Sequence, residues 1–224
     1  MVNGDINIDI QRDERIGFDE AILCEGKSAH QIGIILENFS NRTLLLTRLS
    51  LETFNQLPLY HKNKIDYEQQ SRTGFYGEIT TPKETPQVVI VTAGTSDLRV
   101  SREAGRTLYY YGFSSLEIAD VGVAGLWRLM DRIEEIKQHQ IIITVAGMDA
   151  ALPSVVGGLV PGLVIAVPTS TGYGIACNGE TALRSSLVSC SPGVVVVNID
   201  NGYGAACAAI RTLNSLRINT LLES

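Results

Sequence analysis

Asp97, Asp120, Asp149, Asp200 and Cys190 are the side chains beyond about Pro86 best suited to chemistry. Carboxylates move protons, and a thiolate is both nucleophile and leaving group. Each aspartate lies in a short, glycine-bearing segment: Ala93-Gly94-Thr95-Ser96-Asp97, Asp120-Val121-Gly122-Val123-Ala124-Gly125, Ala146-Gly147-Met148-Asp149-Ala150 and Asp200-Asn201-Gly202-Tyr203-Gly204. A fifth segment, Pro168-Thr169-Ser170-Thr171-Gly172-Tyr173-Gly174, supplies hydroxyls. Aspartates in such places also make turns and cap helices. Gly94 to Asp97 has two open uses: a phosphate cradle of backbone N–H groups and hydroxyls, or a cap for the next helix. It is neither GxGxxG nor a P-loop. His30, His61 and His139 lie outside all five segments, so a Ser-His-Asp or Cys-His hydrolase lacks its base. Cys190 precedes Ser191-Pro192-Gly193, a turn; Cys177 and Cys207 stand among small residues and read as packing. A reactive thiol needs neighbours that lower its pKa from about 8.5.

The segments need a scaffold that brings them together. Val88–Thr92, Ser115–Ala119, Ile141–Val145, Leu163–Val167 and Val194–Ile199 read as strands. Between and after them, helices are predicted at Val100–Tyr111, Leu126–His139, 151–160, Gly179–Val188 and Ala205–Ser215. This alternation predicts an α/β fold with a parallel, doubly wound, flavodoxin-like sheet. Ligands of such sheets bind beyond the carboxyl ends of the strands, where the five segments fall.

Residues 1–83 read as a small N-terminal α+β domain, and 84–224 as the α/β domain. Thr80 to Gln87, with Pro82 and Pro86, reads as the linker. In the first part, Ile6, Ile8 and Ile10 alternate as a strand would, and Ser28 suits the N-cap of a helix over Ala29–Asn38. Thr43–Leu49 is a strand candidate and Leu51–Leu57 a short helix.

With 224 residues, 45% hydrophobic and 19% charged, the chain can bury a sizeable core. Its net charge of −6 argues against nucleic-acid binding. The four cysteines form no CxxC pair, so spacing gives no zinc site. The longest apolar stretch, Val155 to Val167, is broken by Gly157, Gly158, Pro161 and Gly162, and Met1 to Arg15 is too polar for a signal sequence. A cytoplasmic protein without membrane partners is expected.

Three motifs together resemble the aminoimidazole ribonucleotide (AIR) carboxylases and mutases: Gly94-Thr95-Ser96-Asp97, Val145 to Pro153, and Val197 to Gly202. Their Ser-Ala-His-Arg after the second strand is replaced by Asp120-Val121-Gly122-Val123-Ala124-Gly125. Over almost its full length the sequence is more similar to the LarB family of nickel-pincer nucleotide biosynthesis. Asp9, Arg12, Arg15, Gly17, Phe18, Glu20 and Glu25-Gly26-Lys27 match at the N-terminal end; Ser189-Cys190-x-Pro192-Gly193 and Asn198 to Gly204 match at the other.

That resemblance implies carboxylation of nicotinic acid adenine dinucleotide at ring carbon C5 by CO2 or bicarbonate, followed by hydrolysis of the phosphoanhydride. No organic cofactor is implied; Asp97 is the candidate for any Mg2+. Cys190 matches the family nucleophile, and Asp149 a position where Glu is usual. Trp127 stands where His is more frequent. Gly94, Thr95, Ser96, Asp120, Gly122, Ala146, Gly147, Met148, Pro168, Thr169, Ser170, Asp200 and Asn201 would contact substrate. Arg12, Arg15 and Lys27 would reach its carboxylate or phosphates, or pair with nearby acids. A homo-oligomer, an octamer, is implied. The alternatives are a purine-pathway carboxylase or mutase and a non-catalytic nucleotide-binding module.

Overall fold

The computed structural model describes residues 9, 11–39 and 42–222, with two compact units, Met1–Thr81 and Pro82–Ser224. The expected strand at Ile6, Ile8 and Ile10 lies outside the described residues.

In the first unit, α1 (Arg12–Ile16) precedes β1 (Ile22–Leu23) and α2 (Ala29–Asn38). The Ser28 hydroxyl accepts the Gln31 N–H at 3.2 Å, and the Gln31 side chain accepts the Ser28 N–H at 2.9 Å. This reciprocal box satisfies two orphan donors and starts the helix. The apolar stripe of Ile32, Ile35 and Leu36 then packs on Leu44 and Leu46 of β2 (Leu44–Thr47). Two short helices follow, α3 (Leu51–Gln56) and α4 (Leu59–Lys62). The hairpin of β3 (Ile65–Glu68) and β4 (Thr73–Tyr76), absent from the sequence reading, completes a sheet of order β1-β2-β4-β3.

His61 of α4 is 1% exposed, and neither ring nitrogen finds a hydrogen-bond partner. The Tyr60 and Tyr76 rings flank it, and the Glu37 carboxylate on α2 lies 3.8 Å from Nε2. Burial holds its pKa below 6.5; Lys64 acts in the same direction and Glu37 against it. The folded state therefore prefers neutral His61. Its contribution to stability is present above the unfolded value of about 6.5 and is lost as pH falls towards the lower folded value. Amides of α2 and β4 in the full chain should exchange hydrogen faster at about pH 5 than at about pH 7.5, after correction for intrinsic rates. His61→Phe should lack that dependence; an equal dependence in both proteins would contradict the assignment.

The second unit is built on β5 (Val88–Thr92), β6 (Ser115–Ile118), β7 (Ile141–Ala146), β8 (Leu163–Pro168) and β9 (Val195–Val196), all parallel and in the order β6-β5-β7-β8-β9. Every residue of β5 and β7 is buried, as unbroken apolar runs between two helix layers should be. One face is covered by α6 (Leu126–Met130), α7 (Ile133–Ile136), α8 (Ala151–Gly157) and α9 (Glu180–Leu187). Leu129, Ile133, Ile136, Leu152, Val156 and Ala182 pack there on Val89, Val91, Ile142 and Val164. On the other, α5 (Leu98–Tyr110) pairs with α10 (Gly202–Leu222). The connection from β6 returns across β5 to β7, so the chain reverses its winding between β5 and β7. The crevice at their carboxyl ends is the ligand position for this topology.

Three local expectations are corrected. The predicted Leu126–His139 helix is two pieces, because at Arg132 (φ −111, ψ −1) the N–H bonds Leu129 rather than the carbonyl four residues back. The predicted 151–160 helix stops at Gly157, followed by a second glycine. The last strand is only Val195–Val196, although the N–H groups of Val197 and Asp200 still bond Ala166 and Pro168. Among the described residues, no helix is long and apolar enough to cross a membrane.

Candidate active site

The first loop of the carboxyl edge is organised by a buried acid. Asp97 is 3% exposed; its Oδ2 accepts the Gly94 N–H at 3.0 Å and its Oδ1 accepts the Thr169 hydroxyl at 2.7 Å. Asp97 thus closes its own turn and ties β5's loop to β8's. Thr95 and Ser96 remain exposed, so capping by Asp97 leaves both hydroxyls available to a ligand. Burial raises the Asp97 pKa, with the nearby Asp200 charge adding to it. Hydrogen bonds from Thr169, Gly94 and Thr171 oppose the rise.

Asp200, at the end of β9's path, is held differently. It accepts the Ser170 hydroxyl at 2.6 Å and the Ser170 N–H at 2.9 Å, and pairs with Arg99 of α5 at 2.7 Å. Burial opposes its ionisation, but Ser170 and Arg99 outweigh burial and hold the carboxyl below its ordinary range. Two neighbouring carboxyls are thereby pushed apart, Asp97 towards the protonated form and Asp200 towards the ionised form. Environments that separate two carboxyls in this way distinguish an acid from a fixed negative charge.

The third loop is strained. Met148 (φ 55) and Ala150 (φ 47) take left-handed backbone, and Asp149 stands exposed between them. The conformation is fixed by Met148 N–H to Thr171 O at 2.8 Å and by Ala150 N–H to Gly147 O at 2.8 Å. A Cβ on Gly147 would collide with the Thr171 carbonyl and lie 2.7 Å from Thr169 Oγ1, so close approach requires glycine. Among the described residues, six of the eight non-glycine residues with positive φ lie at this carboxyl edge: Asp120, Met148, Ala150, Cys177, Asn178 and Asp200. Strain of this kind persists where the surroundings over-determine it, and it concentrates at functional loops.

The second loop joins through Thr92, whose Oγ1 accepts the Asp120 N–H at 3.2 Å. The Asp120 carboxylate is occupied by Arg128 of α6 at 2.6 Å. Gly122 lies against β5's loop, where a Cβ would approach the Ala93 carbonyl to 2.6 Å. Ala146 and Pro168 end their strands and are buried beneath the loops; Asn201 caps α10 by accepting the Gly204 N–H at 2.8 Å.

The structure therefore gathers Gly94, Thr95, Ser96, Asp97, Asp120, Gly122, Gly147, Met148, Asp149, Thr169, Ser170 and Asp200 at one edge. It does not bring Cys190 there within one chain. Cys190 is exposed in the loop that enters β9 from its amino end, and Ser189 and Ser191 bond Ser154 in the middle of α8. Cys177, read as packing, is instead exposed in the carboxyl-edge loop after β8, because its left-handed backbone belongs to a kink before α9. Arg12, Arg15 and Lys27 belong to the first unit, where Arg15 forks onto Asp9. Sequence reading missed Arg99 and Arg128, cations within a turn of the strand-end loops. Their spacing, two residues after Asp97 and eight after Asp120, was the available signal.

A metal at Asp97 would have to share a carboxylate that is already engaged. Both its oxygens already accept hydrogen bonds, and no three His, Cys, Asp or Glu side chains converge among the described residues.

A family model described as AIR carboxylase matches residues 87–222, and one described as LarB/PurE-like N-terminal domain matches residues 3–78. The chain belongs to the AIR carboxylase family. It does so in the two-domain form that the LarB family shares. An uncharacterized protein of Methanocaldococcus jannaschii is 36% identical over 213 residues, covering 91% of this chain and 82% of the relative. An N5-carboxyaminoimidazole ribonucleotide mutase of the same organism is 34% identical over 131 residues, 56% of this chain and 78% of the mutase. A crystal structure of Treponema denticola PurE2 carrying a serine-to-aspartate change is 20% identical. It covers 61% of this chain and 96% of that chain, with a TM-score of 0.44. Membership in the AIR carboxylase family makes the chain a carboxylase- or mutase-type enzyme.

Proposed function

We propose that the chain carboxylates nicotinic acid adenine dinucleotide at C5 of the pyridinium ring and then hydrolyses its phosphoanhydride. The products are pyridinium-3,5-biscarboxylic acid mononucleotide and AMP, made in the cytoplasm for nickel-pincer nucleotide synthesis. The observation that carries this reading is the second loop. An AIR carboxylase domain joined to a LarB/PurE-like N-terminal domain has there no histidine to move protons on an imidazole, but an Asp120 committed to Arg128.

The chemistry follows from the ring. An electron-poor pyridinium does not attack CO2. Addition of the Cys190 thiolate at C4 forms a C–S bond and moves a ring electron pair onto nitrogen, which makes C5 enamine-like. C5 bonds the carbon of CO2, a base takes the C5 proton, and expulsion of the thiolate restores the aromatic ring. Asp149, exposed beside the crevice, is the proposed base; its carboxylate is one methylene shorter than the glutamate usual in the family. Asp97 with Thr169 holds the loops and offers a proton where charge develops. Thr95, Ser96 and Arg99 are the proposed donors to the diphosphate. Water then splits the phosphoanhydride without an organic cofactor, and no step runs through a metal.

Because Cys190 lies away from the carboxyl-edge loops of its own chain, we further propose a homo-oligomer in which a second copy presents it. Cys190→Ala and Asp97→Asn proteins, each with about a hundredth of native turnover or less, should when mixed and reassembled recover up to about a quarter of it. Mixtures as inactive as their components would contradict a shared site. Turnover of an imidazole ribonucleotide, with none of the dinucleotide, would return the chain to the purine reaction.

A further inference from the structure

Trp127 is the chain's single tryptophan and is 68% exposed on α6, with Leu126 and Met130 also exposed around it. An indole so open to water gains little from the fold. Arg128, the next residue, turns back over Gly125 towards Asp120. A Cβ on Gly125 would lie 2.8 Å from Arg128 Nε and 3.0 Å from its second terminal nitrogen. The guanidinium thus packs closely over Gly125 and would have to shift if that position carried a side chain. Arg128 keeps a 31% exposed side chain and donates to Asp120 Oδ2 at 2.6 Å. Asp120 itself sits at φ 60. An exposed indole and a guanidinium whose present partner is a single carboxylate oxygen thus occupy successive positions at the start of α6, beside the second strand-end loop.

We propose that Trp127 and Arg128 form the subsite for the purine nucleotide half of the substrate. The base stacks on the indole, and the phosphate replaces the Asp120 carboxylate on the guanidinium. This rests on the dinucleotide reading above and says which end goes where. The reacting ring must lie with Asp97 and Asp149, at the loops of β5 and β7. β6 is the edge strand, so its loop is the outer flank, where the non-reacting half extends. Stacking on an aromatic ring accepts any base, and a phosphate offers Arg128 the paired oxygens that Asp120 does not supply. Asp120 is then a placeholder that keeps the guanidinium oriented before substrate arrives.

The single tryptophan makes the test direct. AMP titrated into the full-length protein should quench its fluorescence saturably, and adenosine should do so with weaker affinity. By calorimetry, Trp127→Leu should weaken AMP binding about tenfold or more, while Trp127→Phe retains most of it. Arg128→Gln should erase the difference between AMP and adenosine. Asp120→Asn, which removes the competing carboxylate, should tighten AMP binding several-fold, by roughly the worth of an exposed ion pair. Unchanged emission with millimolar AMP, or an emission already blue-shifted and shielded from iodide without ligand, would overturn the subsite. The second outcome would assign Trp127 to a contact between copies. AMP binding without carboxylation would sink the proposed reaction and leave the subsite standing; carboxylation without a Trp127 response would do the reverse.

Discussion

Cys190→Ala should bind the dinucleotide yet form no dicarboxylated product, with turnover reduced by about a thousandfold or more. The size follows from the ring chemistry: without a nucleophile at C4, C5 never becomes electron-rich. Binding should change little, because Cys190 stands apart, within one chain, from the loops proposed to bind the diphosphate. The instructive control is Cys177→Ala. Cys177 is exposed at the carboxyl edge of the same chain, so its position alone makes it a competitor. Full activity of the Cys177 variant with loss in the Cys190 variant supports the assignment. The opposite pattern would move the nucleophile to Cys177 and remove the need for a second copy. Rates measured with product quantified by mass spectrometry decide between them.

Asp97→Asn should reduce turnover by about a hundredfold while leaving the fold in place. The carboxylate accepts two hydrogen bonds, from Gly94 and Thr169, and an amide can accept only one of them with its oxygen. One buried donor then faces another donor, at a cost of roughly 1–3 kcal/mol. The pH dependence carries the sign. Burial lifts the Asp97 pKa above the ordinary 3.8, so its contribution to stability is full below that value and is lost as pH rises through the higher folded value. Because Asp97 is proposed to donate a proton, the native rate profile should carry a descending limb, the rate falling as pH rises through the raised Asp97 value. The Asn variant should lose that limb. Thermal melts and a pH–rate profile of both proteins check this together. An unshifted limb in the variant would show that Asp97 does not titrate during turnover.

Much of the scaffold was legible because its signals are local. The unbroken apolar runs at Val88–Thr92 and Ile141–Ala146 can only be buried strands, and the glycines and acids that follow them had to share an edge once the strands were parallel. Ser28 announced α2 by the same logic. The break in the helix after Met130 was not legible, since no glycine or proline marks it and only the geometry at Arg132 shows it. In the site, aspartate positions were visible but their partners were not. Arg128 reads as an ordinary helix charge until Gly125 and Asp120 surround it. The placement of Cys190 was hidden for a topological reason. A residue before a strand enters at the amino end of the sheet, while the loops that look catalytic lie at the carboxyl end. The exposure of Cys177 was hidden because small neighbours, which suggested packing, here accompany a left-handed kink.

The central claim is tested most directly by incubating the full-length protein with nicotinic acid adenine dinucleotide and carbon-13-labelled bicarbonate, and analysing the products by mass. The account predicts one labelled carboxyl on the pyridinium mononucleotide and one AMP for each dinucleotide consumed, with the label absent when Cys190→Ala is used. AMP released without label in the ring, or label transferred to an imidazole ribonucleotide instead, would contradict it.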